Sequence, residues 1–283
     1  MIAVRDQNLF SKGPRPNIHK NIDGEWISDL FLHPLKFNEM RKKPFTVVYE
    51  DNHLLVVNKA AGVLVQGDKT KDKTLTDYCR EYIAEKYDKP GAVFLHPVHR
   101  LDRPVSGLVI FARTSKALER MMELFRKRDI HKVYWAIVKK KPKEELEKLT
   151  HWLVKDEQRN VVTAYDMEVE GSQKAELTYK RLGTLNDHWL MEVRPVSGRP
   201  HQIRVQLSSI RCPIRGDLKY GFAKPNIDAS INLHAFQLVF VHPIRKEKLY
   251  LRAALPEEPF WEQFLEFENI KAKDQHIDNT FSG

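Results

Sequence analysis

The chain predicts an α+β fold, with a mixed, largely antiparallel sheet flanked by helices and loops. Three observations carry that expectation. β-Rich runs recur along the chain and double back at turn-forming residues, only a few stretches have helical periodicity, and no repeat, low-complexity tract or long linker interrupts them. With 283 residues the chain can bury a sizeable core, so one main domain is expected over residues 45–256. Residues 1–44 read as an extended lead-in without a clear period, and residues 257–283 as a C-terminal helix and tail.

The first β-rich pair is Phe45-Thr46-Val47-Val48-Tyr49 and His53-Leu54-Leu55-Val56-Val57, turning at Glu50-Asp51-Asn52. Lys59, in the polar turn that follows, suits either a phosphate or a strand-end cap. Residues 74–86 place Leu75, Tyr78, Cys79, Tyr82 and Ile83 at helical spacing and stop before Pro90-Gly91. A second helix from Ser115 turns Leu118, Met121, Met122 and Phe125 toward the core and leaves Arg120, Lys127 and Arg128 to solvent. In the strand His131–Val138, alternation puts Val133, Trp135 and Ile137 on one face. Tyr134 takes the other face, toward either a site or the surface. Short strands are expected from Leu146 to Arg194, with a hairpin turning at Asn186-Asp187.

Ser197 or Gly198 is placed to cap a helix that has Pro200 in its first turn. That helix buries Ile203, Leu207 and Ile210, while His201, Arg204 and Ser208 share another face. A last hairpin pairs residues 234–241 with residues 249–253. Phe260, Trp261 and Phe264 of the terminal helix then pack on the body.

Lysine and arginine number 47 against 38 acids, a net +9, and the excess is uneven. Residues 257–283 hold two lysines and seven acids, leaving 45 cations against 31 acids, or +14, on residues 1–256. That balance suits a polyanion such as RNA. No apolar run nears the roughly 18 residues that span a bilayer, and the first residues lack an apolar signal segment, so a cytoplasmic protein is expected. Cys79 and Cys212 stand far apart with no second thiol at metal-ligand spacing, so both are expected to be reduced and outside the chemistry.

Two stretches concentrate reactive side chains. His99-Arg100-Leu101-Asp102-Arg103-Pro104-Val105-Ser106-Gly107-Leu108 sets one carboxylate between two arginines in a turn, then enters the apolar run Val109-Ile110-Phe111-Ala112. A nearby cation favours the ionised acid, so Asp102 suits a nucleophile or base, or a structural ion pair at a strand end. The second stretch, Arg194 to Leu207, offers Arg204 to something other than the core.

Four ordered segments bear on function together. They are Glu50-Asp51-Asn52-His53-Leu54-Leu55-Val56-Val57-Asn58-Lys59; His99-Arg100-Leu101-Asp102 with Ser106-Gly107-Leu108; His131-Lys132-Val133-Tyr134; and Gly198-Arg199-Pro200-His201-Gln202-Ile203-Arg204 with Gly216-Asp217 and Tyr220-Gly221. From about Val47 to Leu255 the chain thereby resembles the RluA family of RNA pseudouridine synthases. The resemblance implies the pseudouridine synthase fold with a central cleft, Asp102 on its floor as the catalytic aspartate, Arg204 as its charge partner and Tyr134 stacking on the target base. It implies that Arg100 enters the space a flipped nucleotide vacates, and that His99, Lys59, Arg199, His201 and Gln202 contact the substrate.

The implied reaction breaks the N1–C1′ bond of a uridine in transfer RNA or large-subunit ribosomal RNA, turns the uracil and rejoins it through C5. One carboxylate serves, either attacking C1′ or removing a sugar proton to give a glycal, with no metal or redox cofactor. A uridine must leave its stack first, which calls for an aromatic platform and cationic support. Three departures bear on substrate fit: Val105 where threonine is usual, Ala60 where proline is common and Gln206 where histidine is frequent. The residues before Phe45 do not resemble the S4 RNA-binding module of many relatives, so the main domain is expected to bind RNA largely by itself, as a monomer in the simplest case.

Two other readings make different demands. A catalytically silent RNA-binding or ribosome-assembly protein of the same fold has no use for a carboxylate facing phosphates. Glycoside hydrolysis by paired carboxylates needs a second acid roughly 5–10 Å from Asp102, for which Asp217 is the candidate. The pseudouridine synthase reading instead requires Asp102 and Arg204 to meet within about 4 Å.

Overall fold

The computed structural model describes residues 18–20, 26–28, 43–68 and 70–267. The chain falls into two compact units, Met1–Lys42 and Lys43–Gly283. In the first, β1 (Ile18–Lys20) and β2 (Trp26–Ser28) pair antiparallel, Ile18 opposite Ser28. Three residues are too few for alternation to register, which is why the lead-in shows no period in sequence. The remainder of that lead-in, up to Lys42, lies outside the described residues.

The second unit is built on an eleven-stranded sheet. Its main path runs β3 (Phe45–Glu50), β4 (Leu54–Lys59), β6 (Ser106–Ala112), β12 (Leu233–Val241), β7 (His131–Val138), β11 (His188–Pro195), β10 (Gln173–Leu185), β8 (Leu146–Asp156) and β9 (Val161–Tyr165). β5 (His96–Pro97) pairs with β6, and β13 (Lys248–Arg252) with β12. Every pairing is antiparallel except that of β6 with β12, where His234 lies opposite Ser106 and Ala235 opposite Gly107. The sheet is mixed and largely antiparallel, as expected from the sequence.

All of β6 is buried because both its faces are covered. Val109 and Phe111 pack with Leu55 and Val57 on one side, and Leu108, Ile110 and Ala112 with Leu54 and Val56 on the other. A strand covered on both faces reads as an unbroken apolar run, and burying each large aliphatic side chain contributes about 1.5–3 kcal/mol. Gly107, at φ +114°, lets β12 close on this strand: a Cβ there would sit 2.4 Å from the Ala235 nitrogen and oxygen.

Helix α1 (Leu75–Lys86) begins on a capping box between Thr74 and Asp77 and buries Leu75, Cys79 and Ile83. Helix α2 (Ser115–Lys127) is capped by Thr114 and ends on Arg128 in the left-handed region. It buries Ala117 and Met121, whereas Met122, expected in the core, is 53% exposed. One residue further along a helix turns about 100° away, so Met122 falls off the narrow stripe that faces the sheet.

Two further expectations are corrected. The strands between Leu146 and Arg194 are long, with 11 residues in β8 and 13 in β10. The β10–β11 hairpin does turn at Asn186-Asp187, whose φ values of +48° and +58° fit a type I′ turn. The terminal helix expected over residues 257–267 is interrupted: α4 (Pro259–Glu262) is one turn, capped by Glu258. Packing decides this segment more than period does, since Trp261 and Phe264 bury against Trp135, Ile137 and Phe236. Among the described residues no helix is long and apolar enough to cross a membrane.

Candidate active site

Asp102 sits on the loop between β5 and β6, and that loop is braced from several sides. Leu101 and Val105 are buried anchors. The Val105 N–H donates to the Asp102 carbonyl at 3.1 Å, the Ile231 N–H to the Pro104 carbonyl at 3.1 Å, and the Gly62 N–H to the Arg103 carbonyl at 2.8 Å. Arg103 returns a hydrogen bond to the Gly62 carbonyl and pairs with Asp72 at 2.7 Å. Leu101 and Val105 point into the core, and the Asp102 carboxylate between them is left facing outward, 28% exposed.

Its partner comes from helix α3 (Gln202–Ser209). The sequence suggested Ser197 or Gly198 as cap; instead His201 holds that position, at φ +51°, with no side-chain cap. Ser197 does a different job. Its Oγ accepts from the Glu176 N–H at 3.0 Å and donates to Gln202 Oε1 at 2.9 Å, while the Arg199 N–H also donates to Oε1 and Gln202 Nε2 donates to the Glu176 carbonyl. These bonds tie the helix entrance to β10.

Arg204 is itself buried, because the second helix face also packs against protein. Its Nη1 donates to Asp102 Oδ2 at 2.9 Å, and its Nε and Nη2 grip Asp217 at 2.7 and 2.9 Å. Burial opposes the guanidinium charge, but the Asp217 and Asp102 carboxylates outweigh it and raise the Arg204 pKa. The guanidinium lies 5.0 Å from the centre of the Tyr220 ring, which adds a cation–π contact. Gly216, at φ +85°, delivers Asp217: a Cβ there would meet the Ser230 carbonyl at 2.7 Å.

The carboxylate opens onto a cleft lined also by Arg100, Lys132, Tyr134, Arg199, His201 and Gln202. Tyr134 projects from β7 on the face opposite Trp135, against the core around Ala136 and Leu233. Burial first, and the Asp102 charge second, push its phenol well above the ordinary range, so the hydroxyl stays protonated. Lys132 shares the Tyr134 face. Its Nζ reaches the Ser197 carbonyl at 3.4 Å and has no carboxylate partner among the described residues. Burial, and then Arg128, lower its pKa. The sequence reading passed over Lys132, although a cation two positions before Tyr134 must share that strand face.

Two residues expected at the substrate lie off the cleft wall. Lys59 is fully buried, its Nζ donating to the carbonyls of Ala60, Val63 and Arg103. It holds the Asp102 loop rather than a phosphate, and burial lowers its pKa to about 7 against the pull of Asp102. His99 accepts the Ile110 N–H at Nε2 and packs on Phe125; burial lowers its pKa to about 3, so it is a neutral structural ring. Gln202 does line the cleft, but both ends of its amide are engaged internally. Asp217 is 1% exposed with both oxygens on Arg204, and Asp102 is the one acid on the described cleft wall. That removes the second carboxylate which paired-acid glycoside hydrolysis requires.

Known proteins resemble this chain in sequence and in fold. Residues 53–209 match the family model described as RNA pseudouridylate synthase. The chain is 31% identical over 244 residues to the tRNA pseudouridine synthase C of Vibrio parahaemolyticus, covering 78% of this chain and 94% of that protein. It is 30% identical to the ribosomal large subunit pseudouridine synthase C of Vibrio cholerae, covering 78% of this chain and 69% of that one. Among solved structures, human RNA Pseudouridylate Synthase Domain Containing 4 superposes with a TM-score of 0.64 at 26% identity, over 78% of this chain and 92% of that one. On the shared sequence and the shared fold, this chain belongs to the RNA pseudouridylate synthase family.

Proposed function

We propose that the cleft isomerises a uridine of a transfer RNA to pseudouridine, with Asp102 acting on the ribose. The observation that carries this is the Asp102 carboxylate itself, held at 2.9 Å by an arginine anchored on a second acid, in a basic cleft beside a half-buried tyrosine ring. An ion pair built only for stability would gain nothing from leaving one carboxylate oxygen open to a cleft.

The residues divide the work. Tyr134 is the face against which a flipped uracil stacks, a contact worth about 1–3 kcal/mol per base. Arg100 is exposed at the rim, free to occupy the space in the stack that the base leaves. Lys132 and Arg199 are cations in or beside the cleft, suited to backbone phosphates. Asp102 then meets the sugar on the face opposite the base. From there the carboxylate reaches C1′ as nucleophile; the route in which it acts as base instead approaches from the uracil's own face, where the C2′ hydrogen lies, and returns that proton to C2′ afterwards. In both routes the N1–C1′ bond breaks, C5 bonds to C1′, and the C5 proton is released while N1 gains one.

Transfer RNA is favoured over ribosomal RNA by the extent of the matches. They span 91–94% of the length of the tRNA pseudouridine synthases C but 67–70% of the ribosomal synthases C. The test is tritium release from bulk tRNA and rRNA labelled at uridine C5. Release from tRNA that vanishes in Asp102→Asn supports the proposal. Release from rRNA alone overturns the substrate, and release undiminished in the variant overturns the role of Asp102.

A further inference from the structure

One histidine of the cleft has its protonation pattern set by its neighbours. The Tyr220 hydroxyl accepts the Val162 N–H at 2.9 Å and lies 2.7 Å from His201 Nδ1. Tyr220 is buried, and burial raises the phenol pKa, so its hydroxyl keeps its hydrogen and needs an acceptor for it. His201 Nδ1 is that acceptor. Nδ1 therefore carries no hydrogen, and in the neutral ring the hydrogen sits on Nε2. Burial, only partly opposed by Asp102, lowers the His201 pKa and keeps the ring neutral.

The Nε2–H has no hydrogen-bond partner among the described residues. It stands 3.9 Å from Asp102 Oδ2, too far for a hydrogen bond but close enough for one hydroxyl to bridge the two. That hydroxyl would accept from Nε2–H and donate to the carboxylate. The chemistry of the site supplies it. A carboxylate that attacks C1′ approaches the ribose from the face opposite the base, and on that face the 2′-hydroxyl projects.

We infer that His201 Nε2–H and Asp102 together bind the 2′-hydroxyl of the target nucleotide, with Tyr220 and the Val162 N–H fixing the tautomer, so that the cleft selects ribose over 2′-deoxyribose. A C2′–H in the same place can neither accept from His201 nor donate to Asp102. The inference rests on the proposed attack of Asp102 at C1′ and adds the group that reads the sugar.

The first measurement is direct: ¹⁵N–¹H correlation of the histidine rings in the free protein. His201 as the Nε2–H tautomer is the expected result, shifting toward a tautomer mixture in Tyr220→Phe. An Nδ1–H ring in the wild type overturns the proposal without reference to activity. The second measures binding of the mapped target stem-loop, carrying uridine or 2′-deoxyuridine at the target, to non-turning-over Asp102→Asn and to the double variant Asp102→Asn/His201→Asn. Asparagine tolerates the left-handed backbone of position 201. The uridine form should bind about tenfold tighter to the first protein, and this ratio should fall to about twofold in the second. A ratio that survives loss of His201 overturns the proposal. If His201→Asn does not fold, Tyr220→Phe in the Asp102→Asn background replaces it, and an unaltered ratio there has the same meaning. Absence of tritium release from any RNA by the wild type would count against the function reading alone, since the tautomer result stands apart from it.

Discussion

Asp51 and Asp102 are both acids pinned by cations near the ends of buried strands, yet their oxygens are treated differently. Asp51 is saturated. Its Oδ1 accepts the His53 and Leu54 N–H groups at 2.8 and 2.7 Å, and its Oδ2 meets the Tyr49 hydroxyl, His242 and Arg245 between 3.0 and 3.3 Å. Burial would raise its pKa, but the backbone hydrogen bonds and the Tyr49 hydroxyl lower it overall. Asp102 has one oxygen on Arg204 and, among the described residues, no hydrogen bond to Oδ1. The Asp51 side chain is 4% exposed against 28% for Asp102. The lesson is that a charge partner alone does not set Asp102 apart; a firmly held carboxylate with an open oxygen does, and the proposed function rests on that oxygen.

The sharpest way to break this comparison is to neutralise each acid in turn. Asp102→Asn should cost about 10²–10⁴ in tritium-release rate with little change in urea midpoint. Asp51→Ala should do the reverse, losing about 3–5 kcal/mol of stability in urea denaturation while its folded fraction releases tritium at the wild-type rate. Loss of activity in a folded Asp51 variant would erase the distinction.

Removing Asp217 tests what holds Asp102 in place. Asp217→Asn leaves Arg204 buried with a single carboxylate partner, and a drop of about 3–5 kcal/mol in unfolding free energy is expected alongside weakened turnover. A smaller effect follows at Tyr134. Replacement by alanine should weaken binding of the target stem-loop by about 1–3 kcal/mol, whereas phenylalanine, which keeps the ring face, should bind as the wild type does.

A last test is a pH slope from Lys59. Its pKa falls from 10.5 in the open chain to about 7 in the folded protein, through burial. Between those values the unfolded chain binds a proton that the folded protein does not, so stability from this group rises from about pH 7 to about 10.5. Urea denaturation of wild type against Lys59→Met over that range should show the wild type gaining on the variant as pH rises. A constant difference would place the ammonium in a wetter site.

Much of the fold was legible because its causes are local. The continuous apolar run of β6 is read directly along the chain, helix α1 from apolar residues at helical spacing, and the Asn186-Asp187 turn from residues that tolerate positive φ. The site was legible in part. Asp102, Arg204 and Tyr134 stand in motif segments, and the structure brings them to one cleft with Arg100, Arg199, His201 and Gln202. Lys59 and His99 stand in the same segments and point elsewhere, because a motif residue can serve the loop that carries the site instead of the substrate.

By itself, the sequence determined the strands, the helices and the segments that meet at the cleft, since alternation, capping and turn chemistry act over a few residues. Only the tertiary structure decided which polar atoms remain free. Asp102 and Arg204 are 102 positions apart, and His201 takes its tautomer from a tyrosine 19 residues on, itself bonded to a backbone amide 58 residues earlier. Hydrogen-bond saturation is a property of all the groups surrounding an atom in space, and distant segments supply those groups only after the chain has folded.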